Sequence, residues 1–153
     1  MNTIRLVKTT NTDPDFLGLV KKLNAELAIL DGDEHDFYNQ YNGLDNIKHI
    51  LVAYIGEIPV GCGAIKIYDD STMEVKRMYT SEKHRNKGVA IKLLTRLEHW
   101  AAELGYTTTI LETGLRQEAA IALYYKAGYE LISNYGQYAG VENSRCFEKK
   151  LLS

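Results

Sequence analysis

Residues 78–94, MYTSEKHRNKGVAIKLL, place a basic turn with one glycine directly ahead of an amphipathic stretch. Such a junction can hold an anion. The N–H groups in the first turn of a helix have no partner inside the helix, and the helix dipole adds about half a positive charge at that end. Gly88 lets a phosphate approach the backbone with no β-carbon in the way, and Ala90 is small enough to allow the same one step later. Lys83, Arg85, Lys87 and Lys92 add positive charge around the turn. Basic residues ahead of a helix also occur as plain solvated charge, so the turn alone leaves both readings open. Two other nucleotide-binding loops are excluded, because the chain has neither GxGxxG nor a glycine-rich loop ending in GKS or GKT.

The rest of the chain confines such a site to one local patch. Its 153 residues are the size of one ordinary domain, residues 1–153, with 45% hydrophobic residues to fill a core. The 18 basic and 20 acidic side chains nearly cancel, so no global field recommends nucleic acid or an anionic membrane as partner. No apolar run approaches the roughly 20 residues that span a bilayer, and MNTIRLVKTT lacks the order of a secretory signal, so a cytoplasmic protein is expected. Cys62 and Cys146 show no metal-ligand spacing; both are expected as small core residues, and no metal is expected.

The elements that position the turn can be read from periodicity. Ile4, Leu6 and Val7 suggest a first strand, and Asp13 with Pro14 reads as the cap and first position of a helix. Phe16, Leu19, Val20, Leu23, Leu27 and Leu30 continue that helix for about 17 residues, and a weaker helix is predicted through Phe37, Tyr38 and Tyr41. HILVAYIGEIPVGCGAIKIY is two β-rich runs broken at Gly56 and Glu57, a hairpin, and STMEVKRMYT adds a third strand. Helical spacing returns from Val89 to Leu104 and closes at Gly105. A strand at TTTILET, a helix from Gln117 to Lys126 and two late strands follow. The order β, α, α, β, β, β, α, β, α, β, β predicts an α+β fold, a mixed sheet covered by helices.

At RNKGVA the chain resembles the GNAT superfamily of acyl-CoA-dependent N-acyltransferases, whose phosphate turn reads R or Q, x, x, G, x, G or A; Arg85, Gly88 and Ala90 match. A second family motif follows about 30 residues later. QEAAIALYYKAGY supplies it at Ala120, Leu123, Tyr124, Lys126, Gly128 and Tyr129, with Gln117 where asparagine is usual. The similarity runs from about residue 47 to the end, and LETG with the closing CFEK looks like a large group of bacterial members. It implies a mostly antiparallel sheet of six to seven strands flanked by about four helices, with splayed central strands.

The resemblance also implies roles. Coenzyme A phosphates would lie on Arg85, Asn86, Lys87, Gly88, Val89 and Ala90, and pantetheine beside Met78, Tyr79 and Thr80, with Gln117 and Tyr124 completing the site. Met78 N–H would bind the thioester oxygen, and Tyr124 would protonate the departing thiolate, an ordinary phenol near pKa 10 being close enough to a thiol for that. Glu74, eleven residues before Arg85, ranks just ahead of Glu112 as general base, with water as a relay. The expected reaction is acetyl transfer from acetyl-CoA to a primary amine of a small molecule, less so of a protein. The competing reading is a non-catalytic acyl-CoA-binding regulatory module. Glu26, Asp31, Asp33, Glu34 and Asp36 suit either attraction of a cationic acceptor or a solvated face. Tyr135, Gln137 and Tyr138 suit either closure over the acceptor or contact within a homodimer.

Overall fold

The computed structural model describes residues 3–32, 43, 44 and 46–151. Strand β1 (Ile4–Thr9) leads into helix α1 (Pro14–Asp31). Asp13 caps this helix as predicted. Its carboxylate accepts from the Asp15 N–H at 3.1 Å, and Pro14 occupies the first helical position, where no N–H is needed. Strands β2 (His49–Ile55) and β3 (Ile58–Ile67) form the predicted hairpin. Gly56 takes φ 60 at the first central position of the turn, which a two-residue hairpin of matching twist requires.

Strand β4 (Thr72–Thr80), a 3₁₀ turn (Glu82–His84) and helix α2 (Val89–Glu103) follow. They lead to β5 (Thr108–Gly114), helix α3 (Glu118–Lys126), β6 (Glu130–Ile132) and β7 (Ser144–Lys150). This is the predicted order, with three helices among the described residues against about four expected. The helix expected through Phe37, Tyr38 and Tyr41, and the acidic residues Asp33, Glu34 and Asp36, lie outside the described residues.

The seven strands form one sheet in the order β1-β2-β3-β4-β5-β7-β6, antiparallel throughout except for β4 beside β5. Both faces are covered, which explains why β2 reads as a continuous apolar run. On one face Phe16, Leu19 and Val20 of α1 meet Ile50, Val52, Cys62 and Ala64. On the other, Leu93, Leu94 and Leu97 of α2 and Tyr124 of α3 meet Leu51, Val75, Leu111 and Phe147.

The close seat of α2 depends on two glycines of β3. A β-carbon on Gly61 would stand 2.8 Å from Val89 Cγ1 and 2.9 Å from the Tyr79 carbonyl oxygen, and one on Gly63 would stand 2.5 Å from the Met78 sulfur. Helix α3 is held from the C-terminal strand. Lys149 Nζ donates to Glu98 of α2 at 2.9 Å and to the Ala127 carbonyl, just past the end of α3, at 2.8 Å.

Gly61→Ala forces a backbone oxygen and a core side chain to move, so it should destabilise the fold by about 1–3 kcal/mol, read from the urea midpoint. A second expectation concerns alkali. Burial pushes the Cys62 thiol up to about 12 and the Cys146 thiol up to about 11, and raises the phenols of Tyr124, Tyr129 and Tyr138 well above 10. All five groups keep their protons in the fold and release them more readily once unfolded. Their contribution to stability is therefore complete below the ordinary thiol and phenol values, about 8.5 and 10, and is lost as pH rises through the folded values. The unfolding midpoint should fall steadily above about pH 9, and a midpoint unchanged at pH 11 would contradict the burial of these groups.

Candidate active site

Strands β4 and β5 run parallel for only three pairs, Thr72↔Thr108, Met73↔Thr109 and Glu74↔Ile110. Beyond Glu74 they part. On its other edge β4 carries a bulge, because Lys76 pairs with Ala64 and Tyr79 with Cys62, leaving Arg77 and Met78 opposite the single residue Gly63. Arg77 takes φ 58 to make it. The bulge and the sheet twist turn β4 away from β5, so the facing backbone edges of residues 75–80 and 111–114 have no ladder with each other. This is the splay expected of the central strands.

A cleft of about 700 Å³, part of it open to solvent, occupies the gap. Glu74, Met78, Glu112, Gln117 and Tyr124 all line it, together with Lys76, Arg77, Thr113 and Tyr138. Five residues expected to share a site are thereby brought together. Glu74 is 6% exposed; its Oε2 accepts from the Tyr135 hydroxyl at 2.6 Å and lies 3.9 Å from Lys76 Nζ. Burial lowers the Lys76 pKa, and the charges of Glu74 and Glu112 work against that shift. Tyr135 rests edge-on against Tyr68 and Tyr138, so the aromatic loop after β6 fixes this carboxylate from above.

Tyr124 comes to the cleft from the opposite side of the sheet, out of the core shared with Tyr129 and Phe147. The expected ordinary phenol is not what stands there. Tyr124 is 6% exposed, and burial, then the charge of Glu112, raises its pKa far above 10. The cleft also holds polar atoms awaiting partners: Thr113 Oγ1 and Arg77 Nε are buried without a hydrogen bond among the described residues. Such atoms are rare in folded proteins and mark places where a ligand can bind.

The turn after β4 has the form of an anion cradle. Asn86 at φ 64 and Gly88 at φ 84 are left-handed, and this alternation curls successive N–H groups inward ahead of α2. Nothing stands within 4 Å of where a Gly88 β-carbon would be. Val89 is buried under Gly61 and anchors the turn, leaving Lys87 and Ala90 toward solvent. Arg85 makes contacts within the protein. Its guanidinium folds back, donating to the Thr80 carbonyl at 3.0 Å and to Glu26 of α1 at 2.7 Å, with Tyr79 beside it. Arg85 thus links the turn to α1 through a partly exposed ion pair. Gln117 caps α3 by position only, without a side-chain capping bond, and faces the cleft instead.

Sequence reasoning missed Lys76 and Arg77 in the cleft, and the Tyr135 contact with Glu74. A signal for the first two was present, since two adjacent basic residues inside MEVKRMY are out of place in a strand otherwise buried. The third joins residues 61 positions apart and had no local signal. Among the described residues no cluster of His, Cys, Asp and Glu could hold a metal, and no helix is long and apolar enough to cross a membrane.

Comparison with known proteins matches this geometry to a family. Residues 18–129 match the Acetyltransferase (GNAT) family. An IAA acetyltransferase of Azospirillum brasilense is 38% identical over 102 residues, 66% of this chain and 67% of that one. A Klebsiella pneumoniae protein described as an acyl-CoA N-acyltransferase superposes with a TM-score of 0.82 at 30% identity, covering 98% of this chain and 99% of its own. A GNAT family acetyltransferase of Elizabethkingia anophelis, solved with acetyl-CoA bound, shares the fold at 20% identity and a TM-score of 0.73, over 99% and 100% of the two chains. With a splayed sheet and this likeness along most of its length, the chain belongs to the GNAT family and is an acyl-CoA-dependent acetyltransferase.

Proposed function

We propose that the protein transfers the acetyl group of acetyl-CoA to a primary amine of a small molecule, by direct attack while both substrates are bound. The observation that carries this reading is the convergence of Glu74, Glu112, Met78 and Tyr124 on one cleft where β4 leaves β5. The cradle around Gly88 fits the phosphates of the coenzyme, since its backbone is open at the point of approach.

Within the cleft Glu74 accepts the amine proton, directly or through water, while Tyr135 holds the carboxylate in place. Glu112 is the competing base. The Met78 N–H, freed from the ladder with β5 by the splay, donates to the thioester oxygen as negative charge develops there. Tyr124 donates a hydrogen bond to the departing sulfur. With its pKa raised far above that of a thiol, the phenol keeps its proton and stabilises the leaving sulfur through this hydrogen bond, and the proton that completes the thiol comes from solvent. Direct attack is supported by the cysteines: neither Cys62 nor Cys146 lines the cleft, and both thiols are buried and raised in pKa.

Calorimetry with acetyl-CoA followed by thiol release with a panel of amines tests the reading. Binding with turnover of at least one amine is expected; binding without transfer to any amine would leave a non-catalytic acyl-CoA-binding module in its place. Tyr124→Phe should lower kcat by about 10²-fold while acetyl-CoA affinity changes by less than about threefold. An unchanged kcat would remove Tyr124 as the hydrogen-bond donor to the sulfur. Glu74→Gln should lower kcat by about 10²-fold, and if Glu112→Gln does so instead, the base is Glu112.

A further inference from the structure

Arg77 is the one residue of the cleft whose placement is costly in two ways. It holds φ 58, a backbone conformation that long side chains seldom adopt. It also buries a guanidinium, 6% exposed, in the cleft wall beside Leu23, Leu27 and Met78. What surrounds that charge does not compensate it. One terminal amino group donates to the neutral side chain of Asn24 on α1, Nε has no partner, and among the described residues no carboxylate pairs with it. Burial lowers its pKa with only the Cys62 thiol acting in opposition.

The neighbouring cation makes the contrast clear. Lys76, one residue earlier, lies 3.9 Å from Glu74 and feels Glu112 as well, so its charge is already answered. Because the bulge inserts one residue, Lys76 and Arg77 project toward the same face of the sheet as Glu74. Asn24 would be satisfied by any neutral donor, so tethering α1 does not require a cation at this position. A buried guanidinium with no carboxylate partner and an unpartnered Nε is suited to receive an anion.

We propose that Arg77 binds a carboxylate carried by the acceptor, so that the acceptor class is small amines bearing a carboxylate. This rests on the amine-acetyltransferase reading and narrows it. The amine lies toward Glu74 and the carboxylate on Arg77, whose α-carbons are about 10 Å apart along the strand. A planar carboxylate matches the two-donor edge of a guanidinium. A phosphate monoester would bring a second negative charge into a cleft that already holds Glu74 and Glu112, and is disfavoured for that reason.

The test is acetyl-CoA-dependent thiol release with matched acceptors: 4-aminobutyrate against butylamine, L-phenylalanine against phenethylamine, and L-lysine against cadaverine, with 2-aminoethyl phosphate as the phosphate arm. The best carboxylate acceptor should exceed its partner in kcat/KM by at least about tenfold. Arg77→Gln should collapse that ratio to within about threefold, mainly through KM of the carboxylate acceptor, and Arg77→Lys should keep part of it. Butyrate should compete with the acceptor where butyramide does not, which decides the matter in the wild-type protein if the variants fail to fold. Wild-type preference for the bare amines or for the phosphate, equal inhibition by butyrate and butyramide, or an Arg77→Gln loss equal for both members of a pair would each overturn the proposal. Acetyl-CoA binding with transfer to no amine of either kind would instead overturn the amine-acetyltransferase reading, and this inference with it.

Discussion

The early end of the parallel ladder between β4 and β5 is the constraint on which the rest of the molecule depends. Three pairs hold the strands together, and after Glu74↔Ile110 the two backbones diverge inside a sheet that is otherwise continuous. Unpaired backbone groups in a buried sheet are unfavourable unless something replaces the missing strand. The gap is therefore a structural deficit that opens as a cleft, and the polar side chains of the cleft stand around it. A bulge on the β3 side of the same strand stabilises the divergence by adding a residue where the bend must occur.

The remaining structure keeps that gap open and correctly lined. Helix α2 has to sit close to β3 for the turn at Gly88 to reach the mouth of the cleft, and Gly61 and Gly63 provide the clearance. Helix α3 has to present Tyr124 from beneath, and Lys149 ties its end to Glu98 of α2 while Tyr129 and Thr109 join hydroxyls at 2.8 Å. From above, the loop after β6 places Tyr135 on Glu74. The two substrate halves of the cleft are thus supported by different layers of the fold.

How much of this could be read in the sequence depended on whether the signal was local. Asp13 with Pro14, and Gly56 with Glu57, state a helix start and a hairpin within two residues, and both formed as read. The turn ahead of α2 was legible because its residues are contiguous, although the return of Arg85 to Glu26, 59 positions away, was not. The bulge escaped notice because the residue in the left-handed conformation is an arginine rather than the glycine or asparagine that usually signals one. Gly61 and Gly63 read as ordinary members of a hairpin, since their role is set by a helix more than 25 residues further on. Tyr124 could be located but not its environment: a phenol's acidity depends on burial, which is a property of the whole fold.

The division of labour in the cleft bears on how such a protein can change. In the proposed function the coenzyme side would rely on peptide N–H groups at Met78 and along the turn from Asn86 to Ala90, which every residue but proline supplies. Side-chain substitution leaves those donors in place. The acceptor side would rely on Glu74, Lys76, Arg77 and Tyr135, each of which a single codon change can replace. A scaffold with its donor recognition written in the main chain and its acceptor recognition in side chains can exchange one substrate partner while retaining the other. Divergence among proteins of this architecture should accordingly accumulate around the bulge and the aromatic loop, and spare the backbone path of the splay.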